Sequence, residues 1–181
     1  MFIGLIVVLG IVLIFLWTIY NNLVALKVRI KEAWSQIDVQ LKRRTDLIPN
    51  LVKTIKSYAK HEKEVFENVT KARSSLLSAS SPKESAKAEG ELEKVLKTLF
   101  AVAENYPALR ASENYMGLQK ELSDTEDKVS FARQFYNQTV SEFNTKIQMF
   151  PQSIVANYMK LTEAEFFKPE EEDRKKVEVQ L

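Results

Sequence analysis

Residues 30–58 read IKEAWSQIDVQLKRRTDLIPNLVKTIKSY. In this stretch apolar side chains return at alternating steps of four and three, along Ile30, Trp34, Ile37, Leu41, Ile48, Leu51, Ile55 and Tyr58. Such spacing keeps them on one stripe of an α-helix, because steps of three and four straddle its 3.6-residue turn. The series continues through Val65, Val69, Ala72 and Leu76, and only Arg44 and Glu62 place charges on it. A helix with one apolar stripe must bury that stripe against another element, so the stretch specifies packed helices. The run is too long for one helix of a compact bundle, and Thr45-Asp46-Leu47-Ile48-Pro49 is where it is expected to break. Asp46 can cap the backbone donors of a new first turn, and Pro49 lacks a donor that this turn would leave unpaired anyway. The alternative is one long helix kinked at Pro49.

Working towards the C-terminus, Ser78-Ala79-Ser80-Ser81-Pro82 ends the second helix. A third is expected from about Lys83 to Asn105, with Leu92, Leu96, Leu99, Ala103 and Tyr106 inward and Pro107 beyond it. A fourth runs from about Ala111 to Phe150, with Tyr115, Leu118, Leu122, Val129, Ala132, Tyr136, Val140, Phe143, Ile147 and Phe150 inward, and Pro151 ends it. The segment Phe150 to Met159 is a short amphipathic stretch that up-and-down topology returns to the first helix's N-terminal end. It suits either interfacial insertion or capping of the core. From Pro169 onward the chain is charged and lacks an apolar face, so residues 169–181 are expected to form no stable element.

Working towards the N-terminus, the pattern changes kind. Residues 1–20, MFIGLIVVLGIVLIFLWTIY, hold no charged side chain, and all 26 basic and 24 acidic residues lie beyond them. Such a run is long enough, at about 1.5 Å per residue, to cross a hydrocarbon core of about 30 Å. A cleaved signal peptide would carry Lys or Arg before the run and a small-residue cleavage site after it. Neither is present, and Trp17 and Tyr20 suit an interfacial aromatic belt. Residues 1–20 therefore read as an uncleaved transmembrane anchor contacting lipid through residues 2–20. Lys27, Arg29 and Lys31 follow it, which by the positive-inside rule places the C-terminal bundle in the cytoplasm. The expected fold class is all-α: an N-terminal transmembrane helix, then an antiparallel up-and-down four-helix bundle over residues 21–168.

Composition limits the function. The net charge of +2 comes from interspersed charges, without the concentrated basic face that nucleic acid requires. There is no cysteine, which removes disulfides, thiolate metal sites and cysteine nucleophiles. His61-Glu62-Lys63-Glu64-Val65 begins like a zinc-protease helix, but the fifth position is Val65, and His61 is the chain's one histidine. The Glu62, Glu64, Glu67 group and the Glu89, Glu91, Glu93 group read as solvated faces, and no Glu has a His three residues later, as a di-iron bundle would need. Asp38 and Lys42 are spaced for a helical ion pair. Arg44, on the apolar stripe, is expected to pair with a carboxylate or a helix C-terminus. No catalytic, cofactor-binding or metal-binding residue emerges, no cofactor is expected, and the chain reads as a non-enzyme.

The sequence resembles the LemA family. The resemblance rests on Trp34 to Val52 (WSQIDVQLKRRTDLIPNLV), Tyr58 to Glu62, Ala103 to Pro107, Leu109 to Asn114, Phe131 to Asn137, Phe143-Asn144, and Tyr20 to Leu23 after the anchor. It implies a single-pass protein of the bacterial cell membrane carrying a soluble helical bundle, with no catalytic motif to transfer. A magnetosome member of the family points to membrane remodelling, and genes near membrane proteases point to envelope stress. The expected function is a scaffold or adaptor binding another membrane or envelope protein, with a lipid-interacting, membrane-remodelling role as the alternative.

Overall fold

The computed structural model describes residues 2–168, and these are all-α, with no strand among them. The helices are α1 (Phe2–Lys56), α2 (Lys63–Ser78), α3 (Pro82–Glu104), α4 (Pro107–Arg110), α5 (Glu113–Gln148) and α6 (Gln152–Tyr158). The charged tail, residues 169–181, lies outside the described residues.

α1 corrects the expected break at Asp46, for it is one helix with Pro49 inside it. Its buried stripe passes through Ile19, Leu23, Leu26, Ala33, Ile37, Leu41, Arg44, Ile48, Leu51 and Ile55 in one phase. Pro49 has no N–H to give the carbonyl of Thr45, four residues back, and Thr45 is itself buried. The side chain of Arg73, on α2, makes up the loss: its Nε donates to that carbonyl at 2.7 Å. Asp46 consequently caps nothing. It lies 3.7 Å from Lys42, which thus leans one turn forward instead of pairing back with Asp38. The helix stops at Lys56, and the following turn throws the expected core residue Tyr58 out to solvent while Ala59 takes the buried place.

The α2–α3 hairpin turns where the small polar cluster predicts. Ser81 caps α3 by accepting the Glu84 N–H at 3.2 Å, and the Glu84 carboxylate accepts from both the N–H and the hydroxyl of Ser80 at 2.9 Å. These donors, the Ser80 N–H foremost, hold the Glu84 carboxyl below its ordinary pKa. Pro82 occupies the first turn, where a missing N–H is harmless. Between α3 and α5 the single turn of α4 buries Leu109, an element the sequence reading passes over. α5 ends at Gln148, so Phe150, expected inside, is 80% exposed.

The described residues form two compact units. Residues 37–133 with 167 and 168 make an antiparallel four-helix bundle from the C-terminal part of α1, then α2, α3 and the N-terminal part of α5. Residues 2–36 with 134–166 make the other, in which the remaining parts of α1 and α5 run antiparallel. There Arg29 meets Glu142 at 4.0 Å, and the rings of Trp34 and Tyr136 lie 5.7 Å apart. Its core gathers Ile19, Leu23, Leu26, Phe143, Ile147, Val155 and Ala156, the last two from α6.

Candidate functional site

Within the four-helix bundle, Arg44 stands on the α1 stripe and is 3% exposed. Its Nη1 lies 3.4 Å from Glu89 Oε1 on α3, and its Nη2 lies 3.5 Å from Glu126 Oε2 on α5. Arg133 approaches the other oxygen of Glu89 at 3.9 Å. The sequence anticipates a buried pairing for Arg44, but Glu89 is a correction: expected on a solvated face, it is 7% exposed. The missed signal is its register, since Ser85, Glu89, Leu92 and Leu96 share one stripe of α3 and are all buried. Burial pushes the Glu89 carboxyl above its ordinary pKa, while Arg44 and then Arg133 pull it back. A cleft of about 360 Å³ opens beside this cluster, lined by Ala86, Glu89, Gly90, Arg133 and the fully buried Phe167. The cluster concentrates charge within the bundle core. Its physical effect is to fix the register of three helices, because a shift would strand a charge in the core.

In the other unit, polar side chains on one face of α5 hold the chain that follows α6. Asn144 pairs with the backbone of Ala164 on both sides: its Nδ2 donates to the carbonyl at 3.0 Å, and its Oδ1 accepts the N–H at 2.8 Å. Tyr136, two turns earlier, donates its hydroxyl to the Glu165 carbonyl at 2.8 Å. Gln148, one turn later, donates to the Glu163 carboxylate at 3.0 Å. Steps of four and eight residues put these three on one stripe, which is why an extended segment can lie along it. Burial, and secondarily the Glu165 charge, raise the Tyr136 hydroxyl pKa. Phe143-Asn144 and Tyr136 belong to the sequence blocks quoted above, yet their role in holding residues 163–165 has no periodic signature.

His61 is exposed in the turn preceding α2, so it and Val65 do not share a helix as a zinc-protease pair would. Among the described residues, no three His, Asp or Glu side chains gather as metal ligands. Large apolar side chains instead mark the surface. From Phe2 to Trp17 the large apolar side chains of α1 are exposed around the whole helix, and α1 contains a stretch long and apolar enough to cross a membrane. Phe131 on α5 is 70% exposed, and Phe135 one turn on is also open. At the far end of α5 and on α6, Met149, Phe150, Ile154 and Tyr158 are exposed together.

The fold and these surfaces define an all-α bundle protein with an apolar N-terminal helix able to span a bilayer. The sequence pattern of the LemA family matches residues 33–181, and the chain belongs to that family. It is 28% identical over 155 residues to Protein LemA of Metamycoplasma hominis, covering 85% of this chain and 71% of that protein. It is 25% identical over 174 residues to Magnetosome protein MamQ 2 of Paramagnetospirillum magneticum, covering 82% of this chain and 64% of that one. Magnetosome protein MamQ of Magnetospirillum gryphiswaldense is similar at 24% over the same length. The chain thus spans just under two thirds of the length of the magnetosome proteins it matches.

Proposed function

We propose that this protein is a non-enzymatic scaffold of the bacterial cell membrane, tethered by residues 2–20, with its bundle in the cytoplasm and docking another membrane protein. The observation that carries the reading is Phe131. It lies in a block on which the family resemblance rests, and a core role would explain an aromatic there, but the side chain is 70% exposed. Large exposed aromatics are the residues that anchor protein interfaces, because each buries much area with little loss of rotamer freedom. Protein partners bind such a side chain in an apolar pocket with a polar rim.

The tether supports the same reading. α1 passes from the apolar stretch into the bundle without a break, so no linker separates the two. Site-specific photo-crosslinking in intact membranes tests the proposal. A benzoylphenylalanine at Phe131 should give a discrete heteromeric adduct, and one at the exposed Glu64 of α2 should not. Identical patterns at both positions, or adducts only to a second copy of the chain, would refute a docked membrane-protein partner.

A further inference from the structure

We infer that Met149, Phe150, Ile154 and Tyr158 form a second lipid contact, a foot that lies in the membrane interface beside the emerging anchor. The inference rests on the reading of residues 2–20 as a membrane anchor and adds a surface to it. Its first support is register. Arg29 faces Glu142 and Trp34 faces Tyr136, so α1 and α5 run antiparallel, and stepping back along α1 to Tyr20 brings α5 to the level of Phe150. The side of Gln152 reaches the same level, lining a small cleft with Thr18, Ile19, Asn22 and Leu23. Phe150 is therefore level with the end of the uncharged run, where Trp17 and Tyr20 sit as interfacial aromatics.

The second support is the division of the segment's faces. Val155 and Ala156 are buried in the core formed with Ile19, Leu23 and Leu26. That fixes α6 against α1 and turns Ile154 and Tyr158, one helical turn apart, the other way. Phe150 and Tyr158 are 80% and 88% exposed, a costly arrangement in water for a segment otherwise well packed. The third support is charge. From Phe143 to Thr162 the chain carries no carboxylate, and its only charges are Lys146 and Lys160. The carboxylates that bracket it are engaged, Glu142 by Lys146 at 3.2 Å and Glu163 by Gln148 at 3.0 Å, so the apolar face itself presents no acidic residue to a headgroup layer.

The sequence holds no cysteine, so one introduced at a chosen position can be labelled singly. The protein would be reconstituted into vesicles of phosphatidylcholine containing a minority of phosphatidylglycerol. An environment-sensitive fluorophore would be placed at Ile154→Cys and, independently, at Tyr158→Cys. Leu9→Cys in the anchor and Leu77→Cys at an exposed position of α2 are the references. A shallow lipid-bound nitroxide should quench positions 154 and 158 strongly, and iodide quenching there should fall severalfold below that at Leu77. If Leu9 is reached by lipid quenchers while both test positions behave like Leu77, the foot is wrong and the anchor stands. If Leu9 is not reached, the anchor reading fails and takes the foot with it. Shielding from iodide without quenching by the lipid nitroxide would mean a protein contact covers this surface, which also overturns the inference.

Discussion

Glu89 couples the stability of the bundle to pH. Its native pKa lies above the ordinary carboxylate value because burial outweighs the attraction of Arg44 and Arg133. The native state therefore keeps the Glu89 proton over a range where the unfolded chain has lost it, and stability falls as pH rises through that range. The contribution is complete below the ordinary carboxylate pKa and disappears above the raised one. Glu84, lowered by its capping bonds, slopes the other way, so the test is a difference. Denaturant unfolding of wild type and Glu89→Gln from about pH 4 to about pH 7 should show wild type losing ground to the variant as pH increases. A constant difference would mean that Glu89 keeps the same pKa folded and unfolded. Arg44→Ala should cost about 3 kcal/mol at neutral pH, the low end for a broken buried pair, because Arg133 still faces the stranded Glu89.

At the scale of elements, the unbroken α1 depends on α2. The Arg73 side chain satisfies a carbonyl that Pro49 leaves without its helical donor. Arg73→Ala should then destabilise by about 1–3 kcal/mol, the cost of leaving a buried acceptor unpaired. In a Pro49→Ala background the helix supplies its own donor, so the Arg73→Ala loss should shrink markedly. Equal losses in the two backgrounds, measured as a double-mutant cycle by chemical denaturation, would show that Arg73 contributes through packing alone. The chain beyond α6 depends on α5 in the same way. Asn144→Ala removes both hydrogen bonds to Ala164 and should raise amide hydrogen exchange across residues 163–165 well before the bundle unfolds. Unchanged protection there would mean that Tyr136 and Gln148 hold the segment without it.

For the whole molecule, the proposed topology has a direct test in intact cells. With the apolar part of α1 spanning the membrane and Lys27, Arg29 and Lys31 on the inner side, a cysteine at exposed Leu77 should resist a membrane-impermeant thiol reagent until the cells are permeabilised. Ready labelling would put the bundle outside. Removing residues 2–20 should release a helical protein from the membrane pellet only in part at low salt, if the α6 foot adds its own lipid affinity. Complete release at low salt would show that the anchor is the sole attachment.

The sequence by itself determined what periodicity and composition can carry. The stripe from Ile30 to Leu76, the polar hairpin at Ser78–Pro82 and the uncharged N-terminal run are local patterns, so the all-α class, the helix order and most of the inward residues follow from them. Arg44 was legible as a buried cation for the same reason: its place on the stripe is a matter of counting along one helix. Only the tertiary structure decided the rest. Whether Pro49 ends a helix hinges on a donor 24 residues along on another helix, which no local rule contains. Glu89 stands on the buried stripe of α3, which counting could have found, but its pairing with Arg44 and Arg133 and the ending of α5 before Phe150 were decided by packing. Those pairings join two elements and for that reason could not be read along the chain, whereas the uncharged run and the amphipathic stretch at residues 150–159, being local patterns, could.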